Sequence, residues 1–343
     1  MTTDRPARTG TRRYVLSAVA GAGGLALFAY AISQAGAAEI LAGIRRVGWW
    51  LPVILGLGGV RFLLRTASWR LCMPPRSRVS FRQAFAAFLA GDAIGNVTPL
   101  GLIASEPTKV FLMRHDLVTG QSVASLAVDN IVYGASVLLM VLVGTLVLLA
   151  SVLRGTVSMP FVWSEAAMVV VVLLVIGGGV AARLLLRGAW DDERGERPKW
   201  RQRLAGLRQA VLEFSAGHPS RVWRVFALHL AFHVVAAIEV YLTLRLLMDD
   251  PPTWDQTVIF SALDRVTTAV FKFVPLRAGV DEASSGALAP LLGIPAAVGV
   301  TLAVVRKVRN LAWALVGMLI IAAHPAREAP ARDPRGSAFE PRP

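Results

Sequence analysis

The sequence holds a single cysteine, Cys72, in 343 residues. An internal disulfide is therefore excluded, and next to Met73, Pro74 and Pro75 the thiol reads as an inert side chain at a membrane edge. Charge is also scarce. Only 17% of the residues are Asp, Glu, Lys or Arg, against about a quarter in a soluble protein. Acids are scarcer still, 22 against 36 Lys and Arg, for a net charge of +14. There is no nucleophile elbow, phosphate-binding loop or Cys/His cluster, so no sequence motif calls for a metal or another cofactor, and no catalytic role is assigned.

What is abundant is apolar sequence: 55% of the residues are hydrophobic, with a mean hydropathy of +0.56. Long apolar runs cover 14–33, 47–64, 122–151, 166–186, 222–248 and 295–323. About 20 residues are needed to cross a ~30 Å hydrocarbon layer. The expectation is an all-α polytopic membrane protein with six full spans. Two further stretches, 84–103 and 256–274, are apolar but broken. The segment "TRRYVL" before the first run is similar to a twin-arginine export signal, and "AGAAE" to a cleavage site. No soluble domain follows, so an uncleaved first span is the reading taken.

The excess of bases sits in loops, which makes it topological and not a nucleic-acid signal. The N-terminal tail 1–13, the loop after the second span, the loop 187–221 and the tail 324–343 are basic, whereas 249–255, "DDPPTWD", has three acids and no base. Both termini and loop 187–221 are expected in the cytoplasm, segment 249–255 outside, and the protein in the bacterial inner membrane. Residues 204–214 could form a short surface helix, and tail 324–343 is expected to be disordered. This orientation requires each broken stretch to return to the side it entered from, which non-helical backbone can do only when buried in protein or lining a wet cavity.

The broken stretches lead into "TPLGLIASE", residues 98–106, and "VPLRAGVDE", residues 274–282. Pro99 and Gly101 in one, and Pro275 and Gly279 in the other, act as helix breakers, because proline lacks an N–H and glycine has no Cβ to clash. Aligned on the prolines without gaps, Glu106 meets Glu282 and Asn96 meets Lys272. Two spans, a re-entrant segment and a span then occur twice, as repeat 1 over 14–151 and repeat 2 over 166–323. This is an inverted-topology repeat within one transmembrane domain, 14–323. In such architectures the site lies at the midplane, where broken helices meet, so Asn96 and Lys272 are expected close together.

"TPLGLIASEPTKVFLMR" resembles the first signature of the membrane domain of bacterial lysylphosphatidylglycerol synthases and related flippase-like proteins. "VPLRAGVDEASSGALAPLLGIPAAVGVTLAVVRKVRNLAWALVG" resembles their second, which ends on an Arg eleven residues before a Gly, here Arg306 and Gly317. "AVDNIVY" and "EVYLTLRLL" match the adjoining helices. Ser105 departs from the family's usual Gly, and Leu276 and Arg277 replace glycines. The resemblance implies movement of lipids or lipid-linked compounds between leaflets; some relatives are associated with hopanoid transport. Some members fuse the domain to a soluble aminoacyl transferase, and lysyl transfer by this chain alone is not expected.

Glu106 and Glu282 are the first candidates, either as paired acids for a cationic head group or proton, or as caps of the helices that follow. Lys109 falls at the family's basic position. Arg306 and Arg309 could grip a lipid phosphate or snorkel to the interface. Ser122, Ser125, Asp129, Tyr133 and Ser136, spaced 3, 4, 4 and 3, form one polar helix face that lines a cavity or packs on a re-entrant segment. Gap-free alignment sets Asp129 beside Arg306. Arg61 and Arg65 could contact phosphate or snorkel, while Asp264 and Arg265 read as local neutralisation, with Lys272 nearby. His229 and His233 have metal-like spacing, but Glu239 falls about 120° off their face, so helix–helix hydrogen bonding is the better reading. The alternatives to a lipid transporter are a membrane transferase and an accessory subunit that positions a soluble synthase on loop 187–221. The expected ligand is a membrane lipid or lipid-linked amphiphile.

Overall fold

The structure, a computed structural model, describes residues 37–75, 77–97, 101–157, 219–271 and 279–323, with a few isolated positions between 209 and 217 and at 274 and 277. The described residues are helical and contain no strand. In chain order the helices are α1 (Ala37–Val47), α2 (Leu51–Cys72), α3 (Phe81–Val97), α4 (Gly101–Met113), α5 (Thr119–Leu153), α6 (Pro219–Leu247), α7 (Trp254–Val270), α8 (Val280–Leu291) and α9 (Ala296–Ala323), with a 3₁₀ turn, Gly48–Trp50, joining α1 to α2. The first and fourth expected spans, 14–33 and 166–186, Pro99, Lys272 and Pro275, and both terminal tails lie outside the described residues. So does most of loop 187–221, although its last residues begin α6.

Among the described residues three helical stretches are long and apolar enough to cross a membrane: Leu41–Cys72, Thr119–Leu153 and Pro219–Leu247. Helix α9 has the length, 28 residues, but carries Arg306, Lys307 and Arg309 near its middle. The two broken stretches become helical pairs, α3–α4 and α7–α8. Their second arms have 13 and 12 residues, well short of the ~20 needed to cross. Gly101 is the first residue of α4. Gly279 is the N-cap of α8 at φ 78°, a left-handed conformation that glycine adopts without a Cβ penalty. Thr253 and Gln256 close a capping box that starts α7.

The packing of α2, α3 and α5 resembles that of α6, α7 and α9 when the two sets are exchanged. Helix α2 packs on α6. Helix α3 packs on α9, and α7 packs on α5. The last two contacts agree in detail. A Cβ at Gly317 on α9 would lie 2.6 Å from the Leu89 carbonyl and 2.7 Å from the Ala93 Cβ on α3. A Cβ at Gly144 on α5 would meet the Ala262 Cβ and the Val258 carbonyl on α7. In both, a glycine admits the carbonyl of residue i and the methyl of residue i+4 of the partner.

The symmetry is broken in the second arms. Helix α4 packs mainly on its own hairpin partner α3, whereas α8 packs mainly on the following helix α9.

Two apolar clusters hold one hairpin each. Trp69, Phe88, Met113 and Leu126 belong to the first, and Ile54, Leu244, Phe260, Ile294 and Leu302 to the second. Helix α2 runs from Ile54 in one cluster to Trp69 in the other, with Arg61 and Arg65 between them. The charged residues thus form a layer between two greasy ends.

Candidate functional site

Arg61 is the eleventh of the 22 residues of α2. Its Nη1 donates to Glu239 of α6 at 3.1 Å, and Glu239 is 1% exposed. Arg309 of α9 donates to the other oxygen of the same carboxylate. Arg309 and Trp313 fit against α2 because Gly58 and Gly59 leave a dent: a Cβ at Gly59 would lie 2.7 Å from the Trp313 ring. The Trp313 indole also donates to the Leu55 carbonyl at 2.9 Å.

Asp264 and Arg265, neighbours on α7, pair with each other, as local neutralisation anticipates. Arg306 of α9 also approaches Asp264, at 3.5 Å. Arg61, Glu239, His233, Asp264, Arg265 and Arg306, with Met140, Ala236 and Ser261, line one cavity where α2, α5, α6, α7 and α9 meet.

A second polar group flanks it. Asp129 of α5 is 1% exposed and is held by Arg65 at 3.3 Å, by Ser68 and by His229 at 3.2 Å. Arg65 reaches His229 Nδ1 at 3.3 Å, and a guanidinium can only donate, so the imidazole accepts at Nδ1 and donates from Nε2. His233 meets Ser136 Oγ at 3.1 Å, and Ser136 itself donates to the Tyr133 carbonyl. Arg265 donates to the Tyr133 hydroxyl at 3.3 Å, and Arg65 lies 4.1 Å over the Tyr133 ring. The polar face of α5 is therefore buried as its spacing implies. Its side chains meet α2 and α6, and Tyr133 reaches across to Arg265 of the α7–α8 hairpin.

The two signature glutamates differ in their settings. Glu106 is the sixth residue of α4 and no acid stands in that helix's first turn, so it does not cap it. It accepts from Lys109 at 2.9 Å. Lys109 is itself 4% exposed and lies 4.2 Å over the Phe88 ring. Glu282 is in the first turn of α8, fully buried, and paired with Lys307 of α9. Each glutamate has a second oxygen, Oε2, that is buried without a hydrogen-bond partner among the described residues. Asn96 donates to Asp92 at 2.8 Å; its expected neighbour Lys272 lies outside the described residues.

Asp129 and Arg306, which the gap-free alignment sets side by side, do not pair with each other. Asp129 belongs to Arg65 and Arg306 to Asp264, because the repeats do not align without gaps. Ala93 stands six residues before Pro99 and its packing counterpart Ala262 thirteen before Pro275. Arg61, Arg65, Arg306 and Arg309 do not snorkel; their side chains are 9–13% exposed and each meets a carboxylate. Among the described residues no group of His, Cys, Asp and Glu could hold a metal.

The model for the lysylphosphatidylglycerol synthase TM region matches residues 14–317. The chain belongs to this family. Comparison with curated proteins and with solved structures returned no match. Membership of the lysylphosphatidylglycerol synthase TM family, together with the apolar helices, makes the chain an integral membrane protein related to lipid modification or transport. Both signature stretches and the Arg306–Gly317 pair lie inside the matched region. Sequence reasoning weighed Arg61 and set Glu239 aside as off the histidine face. Asp92 went unnoticed, although an acid in the apolar stretch 84–103 was a signal.

Proposed function

We propose that this protein moves a lipid or lipid-like amphiphile between the leaflets of the bacterial inner membrane, its head group passing through the cavity at Arg61, Glu239, Asp264, Arg265 and Arg306 while the tails stay in lipid. The observation that carries this reading is a small cavity of about 10 Å³, room for about one water, walled by charge where two similar sets of helices meet; a head group passes only when those helices part. Charged residues at membrane depth are costly, and they mark pathways when they surround a cavity.

The hairpins α3–α4 and α7–α8 are read as the two re-entrant segments, entering from opposite sides, with both termini cytoplasmic. Their broken symmetry supplies a transport step. One second arm rests on its own hairpin and the other on the following helix. Exchanging those roles gives a second state of similar packing in which the cavity opens to the other side. Glu106 and Glu282, each with one oxygen on a lysine and one without a partner among the described residues, are the groups whose contacts would change as α4 and α8 move.

The test is leaflet redistribution of fluorescent lipids in vesicles containing the purified full chain, read by quenching from outside. The expected result is redistribution without chemical change, abolished in Glu106→Gln and Glu282→Gln variants that remain folded. No redistribution by the parent protein would refute the reading. A chemically altered lipid would assign a transferase, and activity only with a co-purifying soluble enzyme would assign an accessory subunit.

A further inference from the structure

We propose that Asp92 is a proton-binding site whose occupancy is set by Lys109, so that movement of α4 along α3 exchanges a proton. The link to transport rests on α4 moving in the transport cycle; the site itself does not.

Phe88, Asp92 and Asn96 stand four residues apart on α3 and share one face of it. Asp92 is the twelfth of the 17 residues of α3, about 16 Å along the axis from its start and so roughly halfway through a ~30 Å hydrocarbon layer. It accepts from the Asn96 amide at 2.8 Å and pairs with no base among the described residues. Each of the other acids on α3 to α9 meets a lysine or an arginine.

The base beside it is engaged. Lys109 of α4 lays its stem against Gly91, where a Cβ would be 2.6 Å from the lysine Cγ. Its ammonium lies 4.2 Å over the Phe88 ring, one turn of α3 from Asp92, and donates to Glu106 at 2.9 Å. The bases on the other helices packed against α3 are engaged too. On α2, Arg61 is held by Glu239 and Arg65 by Asp129; on α9, Arg309 is held by Glu239, Arg306 by Asp264 and Lys307 by Glu282. Two acids thus compete for one lysine inside the α3–α4 hairpin. A carboxylate without a counter-charge at this depth is costly, so the acid that lacks the lysine is kept neutral by a proton, and here that acid is Asp92. A shift of α4 by one turn, about 5–6 Å, carries Lys109 from the Phe88 ring to Asp92. The O–H bond of Asp92 then breaks, its electron pair stays on the carboxylate and the proton passes to water. Asp92 is only partly buried, which leaves the proton a way in and out. Glu106, its side chain 24% exposed, is left to water, and the reverse shift restores the proton on Asp92.

Infrared spectroscopy of the purified full chain at neutral pH tests the site without reference to transport. The parent should show a carboxylic-acid C=O band, shifted by exchange into D2O, that Asp92→Asn removes. Asp116→Asn, at an acid on the turn after α4 that accepts from Gln83, should leave the band in place. Glu106→Gln strands Lys109, which should pass to Asp92 and erase the band. Adding Lys109→Gln to that variant should bring the band back, and its return shows that the hairpin still folds. The absence of a band that Asp92→Asn removes, or a band that survives Glu106→Gln, overturns the inference. In vesicles with a pH difference of one unit, the steady distribution of a fluorescent lipid between leaflets should be biased by up to about tenfold, the limit for one proton per lipid, and Asp92→Asn should abolish the bias. Redistribution with no bias in the parent would sink the proton link and leave the transport reading standing. The full infrared pattern without redistribution would do the reverse.

Discussion

Replacing Glu239 by Gln removes one charge and almost no volume, and its cost follows from the geometry. The carboxylate is 1% exposed and serves Arg61 at 3.1 Å and Arg309 on its other oxygen. Removing one partner of a buried ion pair costs about 3–5 kcal/mol, because a charge is left behind. Insertion scales give a comparable ~2.5–3.5 kcal/mol for one unpaired arginine at the centre of a membrane helix. Here two guanidiniums lose their anion, and four around the cavity would then share Asp264 alone. A change of about 3–5 kcal/mol moves the melting temperature of a protein of this size by roughly 4–7 °C. Tryptophan fluorescence during heating reads it directly, since the chain has nine tryptophans. Glu213→Gln is the control, an exposed acid whose hydrogen bond is to Gln209, and it should shift melting by no more than about 2 °C. A Glu239→Gln protein that melts with this control would refute the claim that the carboxylate organises the layer.

Gly144→Val and Gly317→Val should each destabilise by about 1–3 kcal/mol or more, because both added side chains meet a partner helix at contact distance; full tolerance of either in thermal unfolding would mean that the two helix pairs are not equivalent. Cysteines at Gly286 and Val300 in a Cys72→Ser background should form a disulfide, since a Cβ at Gly286 lies 2.7 Å from the Val300 Cγ2, which puts the two Cβ positions within about 4 Å. That bond should arrest leaflet redistribution until it is reduced; undiminished redistribution in a fully cross-linked protein would mean that α8 never leaves α9. A cysteine at Gly195 in the same background should react with an impermeant maleimide only after permeabilisation, and labelling in intact cells would overturn the orientation.

The fold was legible wherever one helix speaks for itself. Runs of apolar residues gave α5, α6 and α9 to within about three positions, whereas α2 continues to Cys72, past the expected end at 64; the spacing of Ser122, Ser125, Asp129, Tyr133 and Ser136 gave the buried face of α5. The breaks at Gly101 and Gly279 were readable because glycine and proline punctuate helices for local reasons. The repeat was visible in the matched proline-to-glutamate spacing, but its register was not. What fixes that register is the approach of Gly144 to Ala262 and of Gly317 to Ala93. Small residues at a helix crossing work by what they lack, so they leave little pattern in an apolar sequence.

Partners were the harder part, and the reason is geometric. Periodicity tells which face of a helix is polar and says nothing about which helix it meets. His229 and His233 lie on one face of α6 and meet Asp129, Ser68 and Ser136. Glu239 lies on another and meets Arg61 and Arg309. An acid off the histidine face looked idle only because a single polar face was expected, whereas α6 faces polar neighbours on two sides. The net charge of +14 hid the same information, since most of it resides in loops and tails and reports topology. The informative excess is the small one in the buried layer, where five guanidiniums, those of Arg61, Arg65, Arg265, Arg306 and Arg309, contact three carboxylates. That imbalance exists only once the helices are assembled.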